Sequence, residues 1–299
     1  MTAAGNPALT AAARPSGGRR LSLAWIGALP FFAYVGLFLL LPTAIVVVGS
    51  FLTKDGSFTL DNFSGIDKSY IIKSFINSLI VSSVSAIVGA VAGAVLGYAV
   101  VTGNPDGTLR RLVTSAAGVL AQFGGVALAI AAIAVLGSEG FLTKLLLARG
   151  IDIYANGLWL FDPIGIIVVY LYFQIPLMVL VFLPALDGLR PQWREATESL
   201  GGSTWHYWRY VAGPLLAPSF LGCTLLLFAN AFSAYATVAA LLTQGGVYLT
   251  LEIQNLLTSE TEQTQPGLAQ ALALAMIVIV VIVTVLYTVL QRRTAKWLL

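Results

Sequence analysis

Side chains able to do chemistry are scarce in this 299-residue chain and are gathered largely in one place. There is a single histidine, His206, and a single cysteine, Cys223. A zinc-type site needs several His, Cys or carboxylate ligands together, and His206 has no His or Cys neighbour to complete one, so no metal site is expected. Cys223 lies in the apolar run Phe220 to Leu242 and reads as a small packing residue; without a second cysteine no intrachain disulfide can form. No G-x-x-x-x-G-K-[ST] phosphate loop occurs, so the chain cannot be its own ATPase. Nucleophilic catalysis would require a base beside a buried nucleophile, yet His206 falls outside the long apolar runs and no Lys interrupts one at its centre. No catalytic residue is assigned. What remains is the stretch Pro184 to Pro218, PALDGLRPQWREATESLGGSTWHYWRYVAGPLLAP, which is too long and too patterned for a plain connector.

The elements around that stretch are set by composition. Hydrophobic residues make up 58% of the chain and charged residues 10%, against about 25% charged in soluble domains. Apolar runs of about 20 residues, the length that crosses a ~30 Å hydrocarbon layer, recur at Leu23 to Leu52, Ile71 to Val101, Leu112 to Leu136, Pro163 to Leu183, Phe220 to Leu242 and Leu268 to Leu290. The expected fold is an all-α polytopic membrane protein with six transmembrane helices, in contact with lipid along most of its length. The first run is too long for a signal-peptide core and is expected to bend at Pro30 or Pro42. Residues 1–22, rich in Ala, Gly, Pro and Ser, read as a disordered cytoplasmic tail, and residues 23–299 as the membrane domain with 184–218 as its cytoplasmic loop. A net charge of +3 in short clusters gives no nucleic-acid footprint.

Orientation follows from Lys and Arg, which favour cytoplasmic loops. With the N-terminus inside, Arg14, Arg19, Arg20, Arg110, Arg111, Arg190, Arg194, Arg209, Arg292, Arg293 and Lys296 are cytoplasmic, whereas Lys54, Lys68, Lys73, Lys144 and Arg149 are external. Both termini are therefore expected in the cytoplasm. An external surface around Glu252, Glu260 and Glu262 is expected to be negative, either simply solvated or able to attract a cation or a basic patch on a partner.

Within the runs, Gly89, Gly93 and Gly97 repeat a small residue every four positions, a face that lets helices approach closely; it serves either ordinary packing or a moving interface. Gln122 with Gly124 and Gly125 in the third run points to a helix break or a position on a translocation path, since each Gly weakens a helix by about 1 kcal/mol relative to Ala. Asn230, Ser233, Tyr235 and Thr237 interrupt the fifth run. Such side chains face either a bundle interior, bonding helix to helix, or a water-filled path.

In the loop, Pro191 can start a helix, Trp193 to Leu200 reads as a short helix, and Gly201 and Gly202 close it with a left-handed cap. Ser203 is the expected N-cap of a second short helix to Val211, with Pro214 ending the pair. Trp205, Tyr207, Trp208 and Tyr210 suit a membrane surface or the ends of neighbouring helices.

This loop resembles the EAA loop of ABC importer permeases, in which E-A-A, three residues, G, nine residues and I-x-L-P follow in order. Here the pattern is Glu195, Ala196, Thr197, then Gly201, then Val211, Ala212, Gly213 and Pro214, with Gly213 replacing the apolar Leu. The stretches YLYFQIPLMVLVFLPALDGLR from Tyr170 and LFANAFSAYATVAALL from Leu227 are similar to the spermidine/putrescine-type permease group. The resemblance implies a type I importer permease in the bacterial inner membrane, forming half of a path for a small solute. The lean is towards a polyamine-like solute, with phosphonate, ferric iron or another small solute as alternatives. It also implies partners: a cytoplasmic ATPase dimer that binds ATP and Mg, a second permease that is a different chain, and an external solute-binding protein. This chain would carry no cofactor of its own. Glu195 would make the charged contact to the ATPase, Ala196 would permit close packing and Gly201 would form the turn. An ion-coupled carrier or an intramembrane enzyme are the readings from other classes; both are disfavoured by the lack of ionisable groups at span centres.

Overall fold

A computed structural model describes residues 24–53, 55–103, 107–155, 157–242, 247–258 and 265–295. The expected tail at residues 1–22 and the acids Glu260 and Glu262 lie outside the described residues. The chain divides into two units between Ile45 and Val46. The described part of the first comprises α1 (Ala24–Val35), a π turn over Gly36–Leu40 and the start of α2 (Leu41–Gly49). Pro30 lies inside α1, and the irregularity falls at the π turn rather than at either proline. The exposed face is apolar, with Leu29, Phe31, Phe32 and Phe38 all open.

The second unit is built on α3 (Ser69–Val101) and α7 (Pro163–Asp187). In lipid the hydrophobic effect does not drive helices together, so close packing and interhelical hydrogen bonds must do so. The small residues of α3 supply both. A Cβ added at Gly93 would lie 2.5 Å from the Met178 Cβ and 2.7 Å from the Ile175 carbonyl oxygen, and one at Gly89 would lie 2.9 Å from the Gln174 Cβ. At Gly97 the added atom would meet Leu186 at 3.2 Å. Of the two uses open to this glycine series, the structure shows packing within the chain. Above it on α3, Ser74, Ser78, Ser82 and Ser85 are buried; Gln174 Nε2 donates to Ser85 Oγ at 2.9 Å, and Ser78 Oγ accepts the Leu249 N–H at 2.9 Å.

Along α7 run α4 (Thr108–Gln122) and α5 (Gly125–Leu136), followed by the short α6 (Phe141–Leu147). The loop helices α8 (Pro191–Ser199) and α9 (Thr204–Tyr207) lead through a π turn, Trp208–Ala212, into α10 (Gly213–Phe232). After α11 (Ala236–Leu241) come α12 (Leu249–Thr258) and α13 (Pro266–Ala295). Glu252 on α12 is half-buried, and burial pushes its carboxyl above the usual range.

Among the described residues six segments are long and apolar enough to cross a membrane: Gly27–Gly49, Ser69–Val101, Gly125–Leu147, Pro163–Asp187, Thr204–Phe232 and Pro266–Val289. Four correspond to expected spans. The third does not coincide with Leu112 to Leu136, because the helix is interrupted at Phe123 and Gly124. Arg110 pairs with Asp187 at the C-terminal end of α7, and Leu128, Ala129 and Ala132 share a cluster with Ile166 and Val169 towards its N-terminal end. The fifth span is displaced from Phe220–Leu242, because α10 stops at Phe232 and the apolar sequence beyond it forms a separate short helix.

Candidate functional site

The loop from Pro184 to Pro218 is a helix-turn-helix, as its sequence implies. Pro191 occupies the first turn of α8. Gly201 has φ +77°, the Gly201 N–H donates to Glu198 O at 2.9 Å, and the Gly202 N–H donates to Thr197 O at 2.9 Å. These are the two bonds of a Schellman cap, which satisfies the last helical carbonyls. Gly202 is needed for a different reason, since a Cβ there would meet Thr197 Cγ2 at 2.7 Å. His206 finds a local role as well: its Nδ1 accepts the Ser203 N–H at 3.3 Å and lies 2.8 Å from Ser203 Oγ, so the ring caps α9.

Pro214 does not end the second helix. The helical path is continuous from Thr204 to Phe232, because the π turn lets the Gly213 N–H reach the Trp208 carbonyl, one residue further back than in an α-helix. Pro214 then falls in the first turn of α10, where its missing N–H is tolerated. The same turn explains Gly213. A Cβ there would stand 2.5 Å from the Trp208 oxygen, so this backbone does not admit the apolar Leu of the resembled motif.

The outer face of the loop is open. Glu195 and Ala196 are exposed, Leu200 is 89% exposed and Trp205 68% exposed. Among the described residues Glu195 forms no salt bridge, whereas its neighbour Arg194 pairs with Glu198 at 3.0 Å. The inner face is seated on the spans. Tyr207 and Ala212 are buried, and the Trp208 ring meets Tyr98 of α3 edge-on with centroids 5.0 Å apart. One surface of about a dozen residues thus carries an unpaired carboxylate and uncovered apolar groups, and its reverse is locked to α3.

A second arrangement lies deeper. The interruption between α4 and α5, around Gly124, meets the one between α10 and α11, at Ser233 to Tyr235. Gly125 adopts φ +68°, its N–H donates to Thr237 Oγ1 at 3.0 Å, and a Cβ on it would lie 3.6 Å from that of Ala236. Tyr170 of α7 donates its hydroxyl to the Ala234 carbonyl at 3.2 Å, and Phe123 rests against Tyr172 with centroids 5.8 Å apart. Gln122, Asn230, Ser233 and Tyr235 are exposed, while Gly124 and Gly125 are half-buried. Ser233 Oγ bonds back to the Ala229 carbonyl at 2.9 Å, so it caps its own helix instead of joining another. Glu195, Ala196, Gly201 and Gly202 therefore share one turn region, Pro214 lies on the following helix, and the residues singled out for the path flank the two interruptions.

Sequence reasoning did not single out Tyr170, and it named Thr237 only as one of four polar side chains of the fifth run, with bonding from helix to helix as one of two uses; for Thr237 the structure shows that use. The available signal was general: a Tyr or Thr within an apolar run must find a partner for its hydroxyl.

The family described as binding-protein-dependent transport system inner membrane component matches residues 140–296, more than half of the chain. The thiamine transport system permease protein ThiP of Escherichia coli K12 is 29% identical over 112 residues, which are 36% of this chain and 20% of that protein. The sulfate transport system permease protein CysT of the same organism is 31% identical over 87 residues, 29% of this chain and 30% of that protein. The chain thus spans 20% to 30% of the length of these curated relatives. A solved bacterial ABC transporter involved in the import of the acidic polysaccharide alginate superposes with a TM-score of 0.71 at 17% identity, over 92% of this chain and 96% of that one. The MetNI methionine ABC transporter gives 0.54 at 15% identity over 75% of this chain and 95% of that one. At these identities the likeness is one of fold.

Proposed function

The chain belongs to the binding-protein-dependent transport system inner membrane component family, and from that premise we propose that it is the permease subunit of an ATP-driven importer, forming half of a path for a small solute. It is a multi-pass inner-membrane protein. Both termini face the cytoplasm in this reading, which rests on the distribution of Lys and Arg; the Arg110–Asp187 pair sets the start of α4 and the end of α7 at one end of the bundle.

The observation that carries the reading is the two-sided loop. A docking helix must present a surface to its partner and be fixed to what it moves. Glu195, Ala196, Leu200 and Trp205 meet the first need, and Tyr207, Trp208 and Ala212 meet the second. The partner is a cytoplasmic ATPase that holds ATP and Mg, and a carboxylate there can pair with one of its Arg side chains as contact excludes water. Gly201 and Gly202 shape the turn, and Pro214 begins the span that receives the motion. Gln122, Gly124, Gly125, Asn230, Ser233 and Tyr235 line the path; the exposure of Gln122, Asn230, Ser233 and Tyr235 beside the two interruptions supports this. A second permease, a different chain, completes the path, and an external binding protein delivers the solute.

The relatives named above are thiamine and sulfate permeases; the polyamine lean rests only on the stretches from Tyr170 and Leu227. The test is Glu195→Ala in the permease co-expressed with its partner ATPase. Because the side chain is exposed and unpaired, the variant should accumulate normally yet bind the ATPase about thirtyfold or more weakly, in the range measured when one member of a buried charge pair is removed. Unchanged co-purification and unchanged ATPase stimulation would sink the assignment. Binding measurements on the cognate binding protein with thiamine, sulfate and putrescine would choose the solute.

A further inference from the structure

The two helix interruptions each leave backbone groups that helices cannot satisfy themselves. The Gly125 N–H at the start of α5 and the Ala234 carbonyl in the linker beyond α10 have no helical partner, and buried backbone groups must find one. In both cases a hydroxyl from another element takes the role. Thr237 of α11, buried, accepts the Gly125 N–H at 3.0 Å; Tyr170 of α7, also buried, donates to the Ala234 carbonyl at 3.2 Å. Between these bonds the two segments come close, since a Cβ added at Gly125 would lie 3.6 Å from that of Ala236.

We infer that Thr237 is a positioning residue that ties the α4–α5 interruption to the α10–α11 interruption, so that the two move as one body when the importer changes state. Tyr170 holds the same body against α7. The inference rests on the reading that the interruptions border the path, and deepens it: α10 continues from the coupling loop without a break, so displacement entering at Trp208 reaches Ser233 and passes through the Thr237 bond to α5 and the opposite wall. A hydroxyl suits this task because it bonds the free N–H directly, whereas Val in its place fills the same space and leaves that N–H unsatisfied.

The experiment uses the importer assembled with its ATPase, with Cys223→Ser as background and nitroxides at Val126 and Tyr235, both exposed positions flanking the junction. Dipolar broadening is recorded without nucleotide and after trapping with ATP, Mg and vanadate. One body requires the same inter-label separation in both states. Thr237→Val should broaden the distribution or shift it on trapping, and Thr237→Ser should restore it, an outcome that simple loss of packing volume would not produce. Separation of the labels on trapping in the otherwise native protein, or identical spectra for Val and Thr, would overturn the inference. If Thr237→Val does not assemble, the label pair in the protein with Thr237 intact decides alone: an unchanged separation on trapping supports one body, and a changed one overturns it. Failure of the path reading is a separate result: cysteines at Gln122 and Asn230 would then resist small aqueous thiol reagents in every state.

Discussion

Arg110 Nη2 lies 2.6 Å from Asp187 Oδ2, so the first turn of α4 is fastened to the last turn of α7. The pair is partly open to solvent, with side chains 22% and 41% exposed, which limits its strength. Exposed and half-exposed pairs are worth about 0.2–1 kcal/mol. A double-mutant cycle of Arg110→Ala and Asp187→Ala, read as thermal midpoints in detergent, should give a coupling in that range that fades in high salt. A coupling of several kcal/mol insensitive to salt would contradict this account.

The α3–α7 contact is far less forgiving. Gly93→Ala places a methyl group 2.5 Å from the Met178 Cβ and 2.7 Å from a backbone oxygen, so the helices must separate. Overpacking of this kind costs about 1–3 kcal/mol. Gly118→Ala in α4 is the matched control, since nothing lies within 4 Å of the added atom; relief of glycine's helix penalty should stabilise by up to about 1 kcal/mol. Equal melting temperatures for the two variants would refute the close-packing description.

Glu252 makes stability depend on pH. Burial raises its folded-state pKa above the ordinary value of 4.5, so folding favours the neutral acid. The contribution is fully present below about 4.5 and is lost as pH climbs through the raised folded value. Glu252→Gln should therefore melt higher than the native protein at pH 7 and flatten the decline between mildly acidic and neutral pH. A variant less stable than the native protein at pH 7 would reverse the sign and show that the carboxylate has a partner.

The parts of the fold legible in the sequence are those the bilayer dictates. Long apolar runs located α3, α7 and α13 to within a few residues, because no other composition is stable in lipid. The glycine spacing on α3 identified a close-packing face, but not its partner, which depends on Met178 and Ile175 far away in the chain. Helix ends inside apolar sequence were harder. Hydropathy is the same on both sides of Ser233, so the end of α10 is invisible to it, and only the polar cluster from Asn230 to Thr237 hinted at an interruption. Gly124 and Gly125 marked the other break because glycine reports backbone conformation rather than polarity. The loop read well through Gly201 and Ser203, whose roles are local. Pro214 misled because its effect depends on the π turn before it, and the departure at Gly213 is explained only once the Trp208 carbonyl is seen beside it.

The glycine and serine seam between α3 and α7 has a practical consequence for following this molecule at work. At Gly89 and Gly93 the space a Cβ would need is filled by Gln174, Ile175 and Met178 of α7, so the two helices cannot slide by a turn without collision. In the proposed transport cycle they form a fixed datum. Val95 and Val168, exposed on the two helices of this pair, are natural places for reporters that stay silent through the cycle, and every other displacement can be measured from them.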